Sequence, residues 1–183
     1  MGYFKLTKET VYTKARAIRL IIFDVDGILT DGRLFYSDTG YGMKSFHVHD
    51  GIGIKCLQAG GIEIGIITTH QSDMIDQRMQ DLHIKHVYKG YINKRPAYQE
   101  LLAKLQLTPE QVCYVGDDLP DLPLMMQSKL GITVPNAVRE VKYHACWQTD
   151  KHGGNGAVRE IAEMILQAQN KWQSVLAQYL DVE

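Results

Sequence analysis

Hydrophobic and polar positions follow two alternating patterns along the chain. Five short runs are almost wholly apolar, which is typical of strands buried on both faces of a parallel sheet; they cover residues 18–24, 63–68, 86–88, 112–116 and 131–134. Segments with the apolar spacing of helices lie between them, over 53–59, 72–82 and 96–105. This alternation predicts an α/β fold, a Rossmann-like parallel sheet with helices on both faces.

Two segments depart from the alternation. Residues 33–48 hold two short stretches of alternating polarity around Ser37-Asp38-Thr39-Gly40, which predicts a β-hairpin. Residues 157–180 carry an apolar stripe at helical spacing and predict one C-terminal helix, whose stripe would pack in the core or between subunits. The sequence contains no internal repeat, low-complexity tract or linker, so we expect a single domain over residues 1–183.

Charge and composition exclude several classes of partner. Twenty Lys and Arg against 21 Asp and Glu give a net charge of −1, which argues against a nucleic-acid partner bound by a basic surface. The longest apolar runs, such as 20–23 and 64–67, are far shorter than the roughly 20 residues that span a bilayer. There is no signal-peptide pattern, and the three cysteines are widely spaced. We therefore expect a cytoplasmic protein with reduced thiols and no membrane partner.

The polar residues of greatest interest follow the predicted strands. In an open parallel sheet, ligands bind at the carboxyl ends of the strands. Here the first strand is followed by Asp24, Asp26 and Asp31, the second ends in Thr68, Lys94 lies in a loop after the third, and the fourth is followed by Asp117, Asp118 and Asp121. Acids grouped in this way predict a cation site, and Mg²⁺ prefers such oxygen ligands.

The same residues suit phosphoryl transfer. A carboxylate such as Asp24 can attack phosphorus and form an aspartyl-phosphate. Asp26, two residues on, could protonate the leaving oxygen and later deprotonate the attacking water. Lys94 and Mg²⁺ would neutralise charge on the transferring group, beside the hydroxyl of Thr68. The alternative is that these acids are only turn formers and helix caps.

These residues resemble the four motifs of the haloacid dehalogenase (HAD) superfamily of phosphatases. The matching positions occur in order and at strand ends: Asp24-x-Asp26-Gly27, Thr68, Lys94 and Gly116-Asp117-Asp118-x-x-Asp121. The resemblance implies that Asp24, the backbone carbonyl of Asp26 and Asp117 bind Mg²⁺. It also implies that Asp118 and Asp121 hold metal-bound waters and Lys94, and that Thr68 and the Thr69 amide bind phosphate.

The spacing of these motifs leaves no room for a cap domain. Residues 24–68 already contain the hairpin and one helix, and residues 68–94 one helix and one strand. The site would therefore be open in a monomer. Because water must be kept from this chemistry, we expect an oligomer.

Further features are similar to a capless branch of the superfamily that dephosphorylates sugar acids. They are Asp31-Gly32, Asp50-Gly51-x-Gly53, Arg78, Gly90 and residues 153–160. This resemblance, over about residues 18–166, implies a homotetramer acting in lipopolysaccharide synthesis on a small sugar-acid phosphate. The substrate would be 3-deoxy-D-manno-octulosonate 8-phosphate or, alternatively, a nonulosonate 9-phosphate. Arg78 and Arg159 would contribute to substrate binding.

One position departs from the pattern of the family. Its second motif usually reads Thr-Gly-Arg, whereas this chain has Thr68-Thr69-His70. His70 is shorter than arginine and only partly charged near neutrality. It would take the arginine's place beside the sugar acid, which leaves the identity of the sugar open.

Several features allow two interpretations. His47 and His49 would share one face of a strand and could form a metal site, although packed histidines are the better interpretation. Gly153-Gly154-Asn155-Gly156 is either a flexible loop or, with Arg159, approaches a neighbouring subunit's active site. The hairpin positions Leu34, Tyr36, Tyr41, Met43 and Phe46 pack locally or, as we favour, form a subunit seam that removes exposed strand edges.

Two other functions are compatible with the sequence. The open site could act on a macromolecule such as a phosphoprotein, although the charge and the subfamily motifs disfavour this. The chain could also be a non-catalytic assembly module. A scaffold has no need of Asp24, Asp26, Lys94 and Asp117, which favours the enzyme.

Overall fold

The computed structural model describes residues 6–38 and 40–180, without the side chain of Tyr41. Eight strands occur in these residues: β1 Leu20–Phe23, β2 Phe35–Ser37, β3 Gly40–Met43, β4 Glu63–Thr68, β5 His86–Lys89, β6 Val112–Val115, β7 Leu130–Thr133 and β8 Trp147–Gln148. The helices are α1 Lys8–Ala15, α2 Val48–Ala59, α3 Asp73–Asp81, α4 Arg95–Leu105, α5 Leu122–Gln127, α6 Arg139–His144, α7 Ala157–Ala168 and α8 Trp172–Leu180. None of them is long and apolar enough to cross a membrane.

Six strands form one parallel sheet in the order β5-β4-β1-β6-β7-β8, and β2 and β3 form a separate antiparallel pair. Strand β1 lies in the middle, where Phe23 pairs with Ile66 of β4 and Val115 of β6. The chain runs from β1 outward to β4 and β5, then returns through α4 to β6 on the other side. This reversal of strand order opens a crevice at the carboxyl end of β1, where α/β sheets bind their ligands.

The central strand of the sheet is fully apolar. All four residues of β1, Leu20–Phe23, are inaccessible to solvent, as expected for a central parallel strand. Helix α4 packs so closely on β4 that a Cβ on Gly65 would lie 2.7 Å from Leu101 Cδ2. The α/β prediction and its five parallel strands are therefore confirmed. In the part of the chain that the structure describes, the segments between Asp24 and Lys94 contain the β2–β3 hairpin, α2, β4, α3 and β5, with no inserted cap domain.

The prediction of one helix over 157–180 is wrong, because the chain breaks between α7 and α8. Asn170 adopts a left-handed conformation with φ 56°. Gln169 Nε2 donates to the carbonyls of Ala15 and Ile18, and Lys171 Nζ donates to the carbonyl of Gly60. These polar contacts fix the turn, although the apolar period continues across it.

The hairpin lies inside the predicted range 33–48, but Val48 already begins α2. His47 is the N-cap residue of α2, and its Nδ1 accepts a hydrogen bond from the backbone N–H of His49. The placement of these two histidines on a strand is therefore wrong. Leu34, Tyr36 and Met43 are 41%, 73% and 61% exposed, whereas Phe46 packs partly on the core. Thr39 and the side chain of Tyr41 lie outside the described residues.

Candidate active site

Three carboxylates converge at the carboxyl ends of β1 and β6. Asp24 follows β1, Asp117 lies two residues beyond β6, and Asp121 ends a 3₁₀ turn at Leu119–Asp121. One oxygen of each lies within 4.8 Å of one oxygen of the others. Asp24 and Asp121 are buried and Asp117 is half-buried. The predicted convergence of these acids is thus present in the fold.

Lys94 provides the positive charge of this cluster. It lies at the N-cap position of α4, is 2% exposed, and its Nζ donates 2.7 Å hydrogen bonds to Asp24 Oδ1 and Asp121 Oδ1. Burial alone would lower the pKa of Lys94, but the two carboxylates raise it above its usual value. Three carboxylates therefore face one ammonium group, an excess of negative charge that a divalent cation would offset.

The pKa values of the acids reflect this excess. Burial raises the pKa of Asp24 to about 7; the charge of Asp121 adds to the rise and Lys94 opposes it. Burial, with the charges of Asp24, Asp121 and Asp118, raises the pKa of Asp117 to about 8. Buried carboxylates that resist ionisation favour a cation among them, and their oxygens are the ligands that Mg²⁺ prefers. The residues present therefore fit Mg²⁺.

Asp121 organises its surroundings through four donors. Besides Lys94, the hydroxyl of Tyr114 donates to its Oδ1 at 2.8 Å, and the backbone N–H groups of Asp117 and Asp118 donate to its Oδ2. Asp118 is exposed and caps the 3₁₀ turn by accepting from the N–H of Leu119. Asp121 thus holds both Lys94 and the backbone of Asp117. Sequence reasoning missed Tyr114, which reads only as a core residue of β6.

Asp26 lies in the loop after β1 and has two partners of its own. Lys44, directly after β3, contacts its Oδ1, and His70 Nδ1 lies 2.5 Å from its Oδ2. Burial would raise the pKa of Asp26, but the hydrogen bonds and charges of Lys44 and His70 outweigh it and lower the pKa. Sequence reasoning also missed Lys44, because the fold alone brings the hairpin to this loop.

Thr68 ends β4 beside these residues. Its side chain is buried, and its hydroxyl accepts a 3.3 Å hydrogen bond from the backbone N–H of His70. Thr69 is half-buried and keeps a negative φ, since His83, Gln106 and Asn170 are the only non-glycine residues of the described ranges with a positive one. A threonine can therefore replace the family's usual glycine here without backbone strain.

The glycine-rich loop at residues 153–156 packs against the loop that carries Asp26. A Cβ on Gly153 would lie 1.7 Å from the carbonyl oxygen of Gly27, and the N–H of Gly154 donates to the carbonyl of Ile28. The Asn136 side chain joins the two loops, donating to Gly27 O and accepting from Gly153 N, both at 2.8 Å. Sequence reasoning missed Asn136, although its position just after β7 offered a signal.

The two predicted substrate-binding arginines have other partners. Arg78 donates to the carbonyl of His47 and lies over the ring of Phe46. Arg159 pairs with Glu163 at 2.6 Å and lies over Trp172. Within the described residues, no hydrogen bond or ion pair joins either arginine to the acidic cluster.

The Asp50-Gly51-x-Gly53 segment also has a structural explanation. Buried Asp50 accepts hydrogen bonds from the backbone N–H groups of Gly156 and Arg159, and so caps the first turn of α7. A Cβ on Gly53 would lie 2.8 Å from the Cα of Arg159, which shows how closely α2 and α7 approach. These two segments, distant in sequence, therefore hold each other in place.

Comparisons with known proteins agree with this architecture. Residues 77–161 match the family model described as haloacid dehalogenase-like hydrolase. A 3-deoxy-D-manno-octulosonate 8-phosphate phosphatase of Yersinia pestis is 44% identical over 163 residues, covering 89% of this chain and 87% of the relative. A crystal structure of the Yersinia pestis phosphatase has a TM-score of 0.88 at 43% identity and covers 90% of this chain and 89% of that one.

A second solved structure shows what a related protein binds. The 3-deoxy-D-manno-octulosonate 8-phosphate phosphatase of Moraxella catarrhalis was crystallised with a magnesium ion, a phosphate ion and a 3-deoxy-D-manno-octulosonate molecule. It has a TM-score of 0.89 at 41% identity, and the alignment covers 92% of this chain and 97% of that one. The likeness therefore extends over nearly the whole of both chains.

Proposed function

This chain belongs to the haloacid dehalogenase-like hydrolases, and we propose that it is a Mg²⁺-dependent phosphomonoesterase that hydrolyses 3-deoxy-D-manno-octulosonate 8-phosphate. One observation carries the proposal: Asp24, Lys94 and Asp117 converge at the switch point of the sheet, with Asp26 in the loop directly after β1. The similarity to phosphatases of this name over nearly the whole chain supports the choice of substrate.

The residues that would hold Mg²⁺ are the carboxylates of Asp24 and Asp117 and the backbone carbonyl of Asp26. When bound, the cation neutralises charge on the transferring phosphoryl group. Asp118 and Asp121 lie next to these ligands, where they can orient metal-bound water and Lys94. An orienting role for Asp121 agrees with its contacts, because its carboxylate already accepts hydrogen bonds from four protein groups.

Catalysis proceeds in two displacements. A carboxylate oxygen of Asp24 attacks phosphorus while Asp26 protonates the departing sugar oxygen, which gives an aspartyl-phosphate and the free sugar acid. Asp26 then takes a proton from water, whose oxygen attacks the same phosphorus. The bond between phosphorus and Asp24 breaks, which releases inorganic phosphate and restores the Asp24 carboxylate. Lys94, 2.7 Å from Asp24, balances charge on the phosphoryl oxygens, and Thr68 and the Thr69 amide bind that group.

A cleft lined by Lys44 and His70, the two partners of Asp26, can receive the sugar acid. Its volume is about 670 Å³, and it is lined by the hairpin on one side and by the start of α3 on the other, including Lys44, His70, Gln71 and Ser72. His70 occupies the place of the family's usual arginine. Because imidazole reaches less far than guanidinium, we include a nine-carbon sugar acid 9-phosphate as the alternative substrate.

A substrate screen tests this function. Phosphate release is measured for the eight-carbon 8-phosphate, a nonulosonate 9-phosphate, a hexose 6-phosphate and a phosphopeptide, with wild type and His70→Arg in parallel. We expect the highest kcat/KM on the eight-carbon substrate and strict dependence on Mg²⁺. A preference of wild type for the phosphopeptide, or undiminished rates in excess chelator, would exclude the proposal.

We also infer a homotetramer joined by the β2–β3 hairpins, in which the glycine-rich loop and Arg159 approach a neighbouring subunit's active site. The exposed Leu34, Tyr36 and Met43 support a seam there. Light scattering during size-exclusion chromatography tests it. Met43→Asp should dissociate the assembly, whereas Met126→Asp, at a side chain of similar exposure on α5, should not. A wild-type monomer would contradict this arrangement.

The product belongs to the sugar acids of lipopolysaccharide, so the enzyme would act in that biosynthesis in the cytoplasm. Cys56, Cys113 and Cys146 are all free thiols, which suits a reducing compartment. Fractionation of the native host with an antibody against the chain tests this location.

A further inference from the structure

Both carboxylate oxygens of Asp26 are in contact with a side-chain nitrogen. The ammonium of Lys44 contacts Oδ1, and the imidazole of His70 lies 2.5 Å from Oδ2. The Asp26 side chain is 18% exposed and that of Lys44 only 1%. A carboxylate held at both oxygens has a fixed orientation, whereas one held at a single oxygen can still rotate.

The two partners belong to different parts of the fold. Lys44 follows β3 and is carried by the hairpin, whereas His70 follows β4 and is carried by the sheet. Both line the same cleft. The orientation of Asp26 therefore depends on how the hairpin is placed over the sheet edge.

Burial makes the Lys44 contact more than an incidental surface pair. An ammonium group withdrawn from water needs a compensating anion, because an unpaired buried charge is strongly unfavourable. An exposed lysine on a hairpin would remain hydrated and contribute little. The near-complete burial of Lys44 against Asp26 thus couples the hairpin to the acid/base group.

We propose that Lys44 is a positioning residue that, together with His70, fixes the carboxylate of Asp26 toward the departing oxygen of the substrate. The inference rests on the proposed function only in that Asp26 must transfer a proton to a leaving group. It makes the hairpin part of the acid/base machinery within a single subunit, in addition to any role in assembly.

The choice of leaving group tests this role. An alkoxide needs a proton as it departs, whereas p-nitrophenolate leaves readily without one. In Lys44→Met, kcat for the sugar-acid phosphate should fall about 10–100-fold, which is less than the roughly 10²–10⁴-fold that an acid–base group itself contributes, because Asp26 remains and only its orientation is lost. For p-nitrophenyl phosphate it should fall less than about threefold. In an Asp26→Asn background, adding Lys44→Met should lower kcat little further on either substrate, because the two residues act as one unit.

Three controls separate positioning from other effects. Lys44→Arg keeps a cationic donor and should recover part of the loss. Lys129→Met removes a lysine from another ion pair, with Glu110 near the amino ends of β6 and β7, and should leave both rates unchanged. Mg²⁺ binding to Lys44→Met, measured by calorimetry, should match wild type. If Lys44→Met does not fold, Lys44→Gln provides the same comparison.

The results distinguish failure of the inference from failure of the proposed function. Equal losses on the two substrates, or a higher KM at unchanged kcat, would overturn the positioning role and indicate that Lys44 binds substrate directly. If wild type rejects the sugar-acid phosphate but hydrolyses hexose 6-phosphate, the proposed substrate is wrong, and the alkyl-to-aryl comparison still decides the role of Lys44. Hydrolysis of neither would overturn both.

Discussion

Lys94 and Asp121 form a buried ion pair in which both side chains are 2% exposed and Nζ lies 2.7 Å from Oδ1. Asp121 is bonded in turn to Tyr114 and to the backbone of Asp117, so the pair links α4 to the end of β6. Lys94 is also bonded to Asp24. Under the proposed mechanism, Asp121 would therefore act on Asp24 and Asp117 through Lys94 and the backbone that it holds.

Asp121→Asn should lower both kcat and the affinity for Mg²⁺, each by about 10–100-fold, as is usual for residues that orient metal ligands. The amide keeps the shape but removes the charge that holds Lys94. Steady-state kinetics and Mg²⁺ titration measure the two effects. Asp81→Asn, at an exposed acid at the end of α3, is the matched control and should resemble wild type. Normal kinetics in Asp121→Asn would show that its contacts are only structural.

Asp24→Asn should reduce kcat more than about 10³-fold, because an amide cannot form the aspartyl-phosphate. The fold should persist, since the substitution removes one of several crowded acids and leaves Lys94 its pair with Asp121. Circular dichroism and thermal unfolding without Mg²⁺ check the fold. Rapid-quench experiments with labelled substrate should find phosphate on wild type but not on the variant; residual turnover near the wild-type rate would eliminate Asp24 as nucleophile.

The site residues at the strand ends could be predicted because they directly follow continuous apolar runs. Asp24 and Asp117 were identified from their position after β1 and β6, and the parallel arrangement then brings them together. Lys44 could not be found in this way, because hairpin register and docking determine its contact with Asp26. The break at Asn170 was also hidden, since long-range bonds of Gln169 and Lys171 create it while the apolar period continues.

Short elements formed the other gap in prediction. Strand β8 has only two residues, Trp147 and Gln148, and both are half-buried at the sheet edge, so they show no apolar run. Asn136 follows β7, a predicted strand, yet its amide attracts notice only when Gly27 and Gly153 are known to be neighbours. These features depend on contacts between residues that are distant in sequence, so they cannot be predicted from local periodicity.

Mg²⁺ binding should weaken as the pH falls. The metal competes with protons, and burial raises the pKa of Asp117 to about 8 and that of Asp24 to about 7. The affinity for Mg²⁺ should therefore begin to fall below pH 8, where Asp117 takes up a proton. It should fall more steeply below pH 7, where Asp24 takes up a second one. Calorimetry in buffers of different ionisation enthalpy counts the protons released. A constant affinity between pH 6 and 8.5 would contradict these raised values.

The same pKa shifts predict how the stability of the metal-free protein depends on pH. Both carboxyls have a higher pKa when folded than when unfolded, so the folded state binds more protons between about pH 4 and 8. The free energy of unfolding should fall as the pH rises through this window. Adding Mg²⁺ should raise Tm most at the upper end, which thermal unfolding at several pH values measures. A stabilisation by Mg²⁺ that shrinks as the pH rises would contradict this.

Gly153→Ala should disturb the active site by displacing the loop that carries Asp26. The added Cβ would lie 1.7 Å from Gly27 O, so the loop that carries Asp26 must move. We expect a loss of about 2 kcal/mol in the free energy of unfolding, hence a fall in Tm of roughly 4–8 °C, and at least about tenfold lower kcat on an alkyl phosphate. Asn155→Ala, at an exposed position of the same loop, is the control and should change neither. If Gly153→Ala keeps the wild-type kcat, the close packing of the two loops does not hold Asp26 in place.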